Sequence, residues 1–243
     1  MANFPRVMFT SEANYVKANY LNGHSPVRKI TELTPIYKED GTTIDHYQFN
    51  DTTSRLSILE TTSNENLGQF GIDWTTCKYL DLTKVKLSTW MPSAFSGGNL
   101  SNNSVLEVVD MYYLSNMQGC FSNCANLKKI HIKHLLRRGV YNFDNNPNLE
   151  EIVVDEYMAS GSLWAKEAFY NNPKLHKLIL NGWSSNGINI TSSEAFTREE
   201  LMETINSLAT VKNTTTITLG SVNLAKLTDE DKKIATDKGW TLA

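Results

Sequence analysis

The sequence predicts a β-rich α/β repeat solenoid, with one short parallel strand per repeat, helical insertions near the C-terminus and a small β-rich N-terminal region. The first observation is a repeated pattern that begins at Phe121, Phe143 and Phe169 and runs through a turn to a leucine and a short apolar alternation. The second is a looser copy of this pattern, with an insertion, between Phe95 and Met111. Self-similarity at a spacing of about 20–30 residues is typical of stacked units, which usually build binding surfaces.

Each repeat ends in a predicted strand in which apolar and polar residues alternate. In residues 129–133, Ile130 and Ile132 point to one side of the strand and the polar residues point to the other. The inward residues of the three strands are Ile130 and Ile132, Ile152 and Val154, and Leu178 and Leu180. A slip of one residue would expose these side chains, so we expect Ile130, Ile152 and Leu178 to lie over one another in register.

Three further columns follow from the same register. The core is closed from the preceding turn by Leu127, Leu149 and Leu175, and it is sealed at the back by Phe121, Phe143 and Phe169. On the outward side we expect Lys129, Glu151 and Lys177 side by side. Their charges alternate in sign, so no like charges face each other across neighbouring strands.

The pattern extends in both directions along the chain. Tyr79–Leu82 predicts an earlier strand, and Thr216–Leu219 and Trp240–Leu242 predict the last two strands. We therefore place the solenoid at residues 71–243, with a C-terminal cap at about 197–243. Residues 1–70 form a separate region without the repeat, predicted to serve in attachment or oligomerisation.

Two helices are predicted between the last strands. Thr197 and Glu200 form a capping box, and Phe196 and Leu201 are spaced as a hydrophobic staple. The apolar stripe of this helix is Leu201, Ile205 and Leu208. The second helix is expected to begin at Thr228, with acidic residues in its first turn, and to end at Gly239.

The N-terminal region carries weaker signals. A short helix is expected to begin near residue 10 and to end at Asn22. Asp40-Gly41 predicts a hairpin turn between Leu33–Tyr37 and Ile44–Phe49.

Charge and cysteine content exclude several classes of protein. The net charge of −3 gives no reason to expect a nucleic acid or an acidic membrane as partner. No window approaches the 18 consecutive apolar residues typical of a membrane span, and the N-terminus lacks the pattern of a secretory signal. The odd cysteine count (Cys77, Cys120 and Cys124) argues against a disulfide framework.

The residues that suggest chemistry have simpler interpretations. Cys124 with His131 and His134 is one conceivable metal set, but Cys124 shares a repeat column with Asn146 and Asn172, which favours a turn residue. The sequence has no phosphate-binding loop and no nucleophile elbow. We therefore expect no catalytic residue, no cofactor and no metal.

Outward strand residues and aromatic residues after the strands make the candidate binding surface. Exposed Tyr and Trp are enriched where proteins hold partners, and they also stack on sugar rings. The alternative for each aromatic residue is packing beneath a loop. The candidate residues are Lys129, His131, Lys133, Val153, Asp155, Lys177, Ile179, Asn181, Tyr112, Trp164 and Trp183.

The unit F-x-x-[CN]-x-x-L-x-x-I-x-I resembles the BspA-like leucine-rich repeats of gut bacteria and their bacteriophages, over residues 90–243. Residues 121–127 match the family pattern best, whereas the next two copies depart from it with Asn-Asn-Pro turns. Phe196–Leu201, Ile217–Gly220 and Ile234–Ala243 are similar to a C-terminal module found on such repeats. The resemblance implies a leucine-rich-repeat solenoid used for binding or assembly, without enzymatic activity.

The resemblance also suggests a place for the protein. Bacterial relatives are mostly adhesins with export signals, whereas phage structural proteins assemble in the host cytoplasm without them. We therefore expect a virion component, as part of a tail, fibre, baseplate or head decoration, that contacts other virion proteins or a host-surface protein or glycan and forms a homo-oligomer. The alternatives are a bacterial surface adhesin whose true start lies upstream and, ranked last, a hydrolase of cell-surface polymers.

Overall fold

The structure of the protein is a computed structural model. It describes residues 78–83, 104–114, 121–135, 143–158, 168–213 and 215–243, together with short strands before residue 74. The strands are β1 (Arg28–Lys29), β2 (Ile36–Tyr37), β3 (Ile44–Asp45), β4 (Tyr47–Asn50), β5 (Arg55–Ile58), β6 (Ile72–Asp73), β7 (Tyr79–Leu82), β8 (Val108–Leu114), β9 (Lys129–Leu135), β10 (Glu151–Tyr157), β11 (Lys177–Leu180), β12 (Ile188–Asn189), β13 (Thr215–Thr218) and β14 (Trp240–Leu242). The helices are α1 (Arg198–Ser207), α2 (Ser221–Leu224) and α3 (Asp229–Asp237).

A seven-stranded sheet, called the main sheet below, holds most of the repeats in the order β11-β10-β9-β8-β7-β5-β4. Neighbouring strands from β11 to β5 in this order pair in parallel, and β4 runs antiparallel to β5. β6 lies outside this sheet and pairs in parallel with β1. Ile152 pairs with Ile130 on one side and with Leu178 on the other. The predicted register is therefore confirmed, as are the parallel strands at residues 79–82 and in the three repeats.

The inward side of the main sheet is the core. Ile130, Ile152 and Leu178 are at most 1% exposed, and the residues two positions further along each strand are buried as well. The predicted leucine column is also confirmed, because Leu127, Leu149 and Leu175 are all 0% exposed. The inward residues and the leucine column therefore belong to the hydrophobic core of the described residues.

Aromatic rings form a column behind these strands. The rings of Phe121 and Phe143 lie 6.1 Å apart at an interplanar angle of 7°, and those of Phe143 and Phe169 lie 5.6 Å apart at 9°. Trp183 continues the column, with its ring 5.8 Å from Phe169 in an edge-on arrangement. All four side chains are buried, which confirms the predicted phenylalanine column and adds a tryptophan to it.

The turns before the strands repeat one backbone conformation. Asn123, Asn145 and Asn171 have positive φ angles of 59°, 59° and 57°. Asparagine tolerates this left-handed conformation better than other residues with a side chain. The Asn123 N–H then donates to the Asp144 carbonyl, and the Asn145 N–H donates to the Tyr170 carbonyl, each at 3.1 Å.

The residue after each of these asparagines is buried and links its turn to the next. The Cys124 N–H donates to Asn146 Oδ1 at 2.8 Å, and the Asn146 N–H donates to Asn172 Oδ1 at 2.9 Å. Asn172 Nδ2 closes this ladder by donating to two phenylalanine carbonyls. Cys124 is therefore a turn residue of the repeat, as its column predicts.

The main sheet ends at β11 because α1 covers that edge. α1 packs against β11, and the N–H groups of Leu180 and Gly182 donate to the side chain and the carbonyl of Ser207. His176 Nδ1 lies 2.9 Å from Glu200 Oε1 on the same helix. These contacts replace the hydrogen bonds that another strand would make.

A second sheet has the order β12-β13-β14, in which β12 precedes α1 in the chain and the other two strands follow it. The predicted strands at 216–219 and 240–242 correspond to β13 and β14, which pair in parallel. The two-residue strand β12 and the short helix α2 were not predicted. Within the described residues, hydrogen bonds do not join this sheet to the main sheet.

The predicted helix ends are confirmed. The Glu200 N–H donates to Thr197 Oγ1, and the Thr197 N–H donates to Glu200 Oε2 at 2.7 Å, so the capping box of α1 is complete. Thr228 caps α3 in the same way. Gly239 has a φ of 85° and ends α3, as expected for a C-terminal stop.

Short strands lie in the predicted N-terminal region. β2 pairs antiparallel with β3, which agrees with the predicted hairpin, although its turn at Asp40-Gly41 lies outside the described residues, as does the helix expected to end at Asn22. Because β5 pairs with β7, the main sheet extends into residues 1–70. The proposed division at residue 70 remains a prediction.

Candidate binding surface

The outward side of the last four strands of the main sheet carries most of the predicted binding residues. We call this surface the sheet face. It consists of Val108, Asp110 and Tyr112 on β8; Lys129, His131 and Lys133 on β9; Glu151, Val153 and Asp155 on β10; and Lys177, Ile179 and Asn181 on and just after β11. These residues alternate with the buried ones along each strand, so their side chains stand on the opposite side of the sheet.

The first row of the sheet face, at the start of the strands, is an ion-pair chain. Lys129 Nζ lies 2.8 Å from Glu151 Oε1, and Lys177 Nζ lies 3.8 Å from Glu151 Oε2. The hydrogen bond from Lys129 holds the pKa of the Glu151 carboxyl below its usual value and raises the pKa of Lys129. The predicted row of alternating charges is therefore confirmed.

A second series of ion pairs lies just before the start of the strands. Glu107 lies 2.8 Å from Lys128 Nζ and 3.6 Å from Lys78 Nζ. The hydrogen bond from Lys128 lowers the pKa of Glu107. These lysine side chains are about half exposed, so each pair is screened by solvent and fixes side-chain positions more than it stabilises the fold.

The middle row joins three strands through one imidazole ring. His131 Nε2 lies 3.0 Å from Asp155 Oδ1, and His131 Nδ1 lies 3.6 Å from Asp110 Oδ1. Asp110 also accepts a hydrogen bond from the Tyr79 hydroxyl. The row continues with Val153 and its cross-strand partner Ile179, so it changes from charged to apolar across the sheet.

The last row is built around Tyr112. Lys133 Nζ lies 4.9 Å from the centroid of the Tyr112 ring, which is a cation–π contact. The His134 ring lies 4.9 Å from the same ring, and His134 Nδ1 lies 2.8 Å from Glu156 Oε2. The Tyr112 ring therefore contacts two nitrogen-bearing side chains of β9.

The structure brings most of the predicted binding residues together on the sheet face but places one of them in the core. Trp183 does not belong to the surface: it is 2% exposed, its ring packs between Tyr157 and Phe169, and its Nε1 donates to the Ser185 carbonyl. That part of the prediction was wrong because a tryptophan after a strand can continue a buried aromatic column as well as reach solvent. Trp164 lies outside the described residues.

Sequence reasoning omitted several residues that share the surface. Glu151, Asp110 and His134 each pair with a predicted residue or with its ring. The expected register already placed Glu151 beside Lys129, and that signal was enough to include it. Asp110 lies in the looser repeat with an insertion, where the sequence does not define the register.

The described residues do not form a metal-binding cluster of three or more His, Cys, Asp or Glu side chains. Cys124 is buried in its turn, with its thiol 3.8 Å from the Ser122 carbonyl, whereas His131 is exposed on the sheet face. The alternative metal set is therefore not assembled. None of the helices in the described ranges has the length and apolar character needed to cross a membrane.

Comparison with known proteins agrees with the repeat architecture. No curated protein is significantly similar to this chain, and no solved structure is either. The family model of the BspA type Leucine rich repeat region matches residues 117–218 in 6 copies. The match does not extend over the end of the C-terminal segments that resemble a cap module, so that resemblance remains a prediction. Residues 117–218, somewhat less than half of the chain, are therefore similar to a BspA type leucine rich repeat region.

Proposed function

We propose that this protein is a non-enzymatic binding module, of the protein-binding or adhesion type, that holds its partner on the sheet face. The repeat family supports the general class, because stacked repeats usually present extended binding surfaces. The location of the polar and aromatic side chains supports the choice of this face.

The observation that carries the proposal is the pairing of exposed side chains along each row. Lys129 and Glu151 fix each other, His131 is held between two aspartates, and Lys133 lies over Tyr112. Long side chains lose conformational freedom when a partner binds. Because these side chains are already held, a partner would order fewer of them.

The finer architecture is also part of the proposal. We infer that the repeats form one leucine-rich-repeat solenoid in which the second sheet and the helices α1 to α3 act as the C-terminal cap. Support comes from the edge of β11, which α1 covers. A capped end is what an open stack of parallel strands requires.

A comparison of two matched variants tests the binding face. The face variant carries Tyr112→Ala with Lys133→Ala, and the control carries Tyr170→Ala with Lys174→Ala, an exposed tyrosine and an exposed lysine from a turn. The full chain and both variants are measured by interferometry against immobilised cell-surface proteins and glycans. Binding that the face variant loses and the control keeps supports the proposal. Binding that only the control loses contradicts it.

The finer role is a virion component, as part of a tail, fibre, baseplate or head decoration, with other virion proteins or a host-surface protein or glycan as partner. It is supported only by the resemblance of the C-terminal segments to a module found in bacteriophages. Mass spectrometry of purified particles tests it, because the chain must be present among the structural proteins. An export signal in the upstream reading frame and display on a bacterial surface would favour the adhesin instead.

A further inference from the structure

Two neighbouring strands at the centre of the sheet face carry opposite charge. The outward side chains of β9 are Lys129, His131 and Lys133, and those of β10 are Glu151, Val153 and Asp155. The strands are paired so that Lys129 stands beside Glu151 and His131 stands beside Val153. Lys133 and Asp155, two residues further along, face each other by the same register.

This arrangement is complementary to itself. Consider two copies whose sheet faces are turned toward each other, related by a two-fold axis that runs parallel to the strands between β9 and β10. This axis would place β9 of one copy over β10 of the other, with the strands in the same direction. Lys129 would then oppose Glu151 of the second copy, and Lys133 would oppose Asp155 of the second copy. Each contact would occur twice, as a two-fold interface requires.

We propose that the sheet face binds a second copy of this chain, in a parallel face-to-face dimer centred between β9 and β10. The inference rests on the proposed function of the sheet face and names one partner for it. In the dimer, Lys129 and Glu151 of one copy lie over Glu151 and Lys129 of the other. The four side chains form a square of alternating charges. Such a network is stronger than an isolated surface pair.

The flanks of the face are compatible with this geometry. The same axis places β8 over β11 of the second copy, so that Val108 opposes Lys177 and Tyr112 opposes Asn181. Asp110 would oppose the apolar Ile179, but Asp110 keeps its contacts with Tyr79 and His131 within its own chain. No like charges are placed opposite each other along these strands.

The size of the face sets the expected strength. Four strands about 4.8 Å apart, each about five residues long at about 3.3 Å per residue, give roughly 300 Å² of surface on each copy. Stable dimers generally bury more than that, so we expect a weak and reversible dimer. Because the contacts are mainly exposed charges, the dimer should weaken as salt is added.

The wild-type chain gives the first test, by sedimentation velocity. Between about 10 and about 500 μM protein, the average mass should rise from monomer toward dimer in a buffer of low ionic strength. Raising the salt to about 500 mM NaCl should return it to monomer. A chain that stays monomeric throughout at low salt overturns the inference, and so does a dimer that salt leaves unchanged.

Two charge-reversal variants test the geometry. One carries Lys129→Glu with Lys133→Glu, which makes both central strands acidic, and the other carries Glu151→Lys with Asp155→Lys, which makes both basic. Each variant alone should remain monomeric, whereas an equal mixture should form a heterodimer, detected by a fluorescent label on one of them. A control with Lys212→Glu and Lys233→Glu changes net charge as much as the first variant but should still dimerise like wild type.

The outcomes separate this inference from the proposed function. If circular dichroism shows that both variants are folded but their mixture does not associate, the dimer is overturned. Loss of association in the control variant also overturns it. If a reversal variant does not fold, the salt and concentration dependence of the wild-type chain decides. The proposed function is judged separately, by whether the Tyr112 and Lys133 variant loses binding to immobilised partners.

Discussion

The backbone N–H of Leu180, on the last strand of the main sheet, donates a hydrogen bond of 2.9 Å to the side-chain oxygen of Ser207 on α1. The Ser207 hydroxyl donates in turn to the Thr204 carbonyl at 2.7 Å. An exposed edge strand offers unpaired N–H groups to other chains, and proteins commonly cover such edges. This side chain therefore helps to end the main sheet at β11.

We predict that Ser207→Ala lowers the free energy of unfolding by about 1–3 kcal/mol, because the buried Leu180 N–H loses its acceptor. Urea denaturation followed by circular dichroism measures the change. Ser184→Ala, at an exposed serine, is the control and should leave the midpoint nearly unchanged. Equal effects of the two substitutions would show that the Leu180 contact contributes nothing.

Two glycines with similar backbone conformations provide a second prediction. Gly182 and Gly239 have φ angles of 81° and 85°. A Cβ added to Gly182 would lie 3.7 Å from the Tyr157 carbonyl oxygen, whereas one added to Gly239 would lie 2.3 Å from the Val211 carbonyl oxygen. Alanine at either position is destabilised by the left-handed backbone conformation. Only alanine at Gly239 would also clash with a backbone atom.

Gly182→Ala should therefore cost about 1–2 kcal/mol of stability, from the left-handed conformation alone. Gly239→Ala should cost about 1–3 kcal/mol more, because the chain between α3 and β14 must move away from Val211. Thermal and urea unfolding of the two variants measures the difference. Equal losses would mean that Val211 moves aside without penalty.

The aromatic column gives a third prediction. Phe143 lies between Phe121 and Phe169 in near-parallel stacks and is 2% exposed. Phe143→Ala should lower the free energy of unfolding by about 3–5 kcal/mol, since it leaves a cavity in the middle of the repeats. Tyr170→Ala, which truncates an aromatic side chain that is 42% exposed, should change it by much less. A small loss at Phe143 would mean that the stack closes around the cavity.

The regular part of the fold was predictable because the alternation of apolar and polar residues determines both burial and strand register. The residues flanking Ile130 and Ile152 specify both which side of each strand is buried and which strands pair in register. The capping box at Thr197 predicted the start of α1 for a similarly local reason. Local signals of this kind do not depend on distant parts of the chain.

The parts that were missed depend on tertiary contacts. β12 is only two residues long, and the second sheet is separate because α1 lies on the edge of β11, which the sequence does not specify. Trp183 is buried because the phenylalanine column continues past the third repeat. The bridge from His131 to Asp110 required the register of β8, whose repeat is too loose to define it.

The ion pairs of the protein predict a loss of stability in acid. Hydrogen bonds from Lys129, Lys128 and Arg198 hold the pKa values of Glu151, Glu107 and Asp231, respectively, below their usual values of 4.5, 4.5 and 3.8. A carboxyl with a lower pKa in the folded state binds fewer protons there than in the unfolded chain. Its contribution is therefore complete above the usual pKa and is lost as the pH falls through the lowered value.

We predict that the free energy of unfolding is nearly constant from about pH 7 to about pH 5 and falls steadily below about pH 4.5. Lys129→Met should make this fall shallower, because Glu151 loses the cation that lowers its pKa. Lys174→Met is the control: its ammonium donates to the Asn148 amide oxygen, which does not titrate, so the acid dependence should match wild type. Urea titrations at intervals of pH measure all three proteins. If Lys129→Met and wild type lose stability in parallel, the Lys129 ion pair does not contribute to the acid sensitivity of the fold.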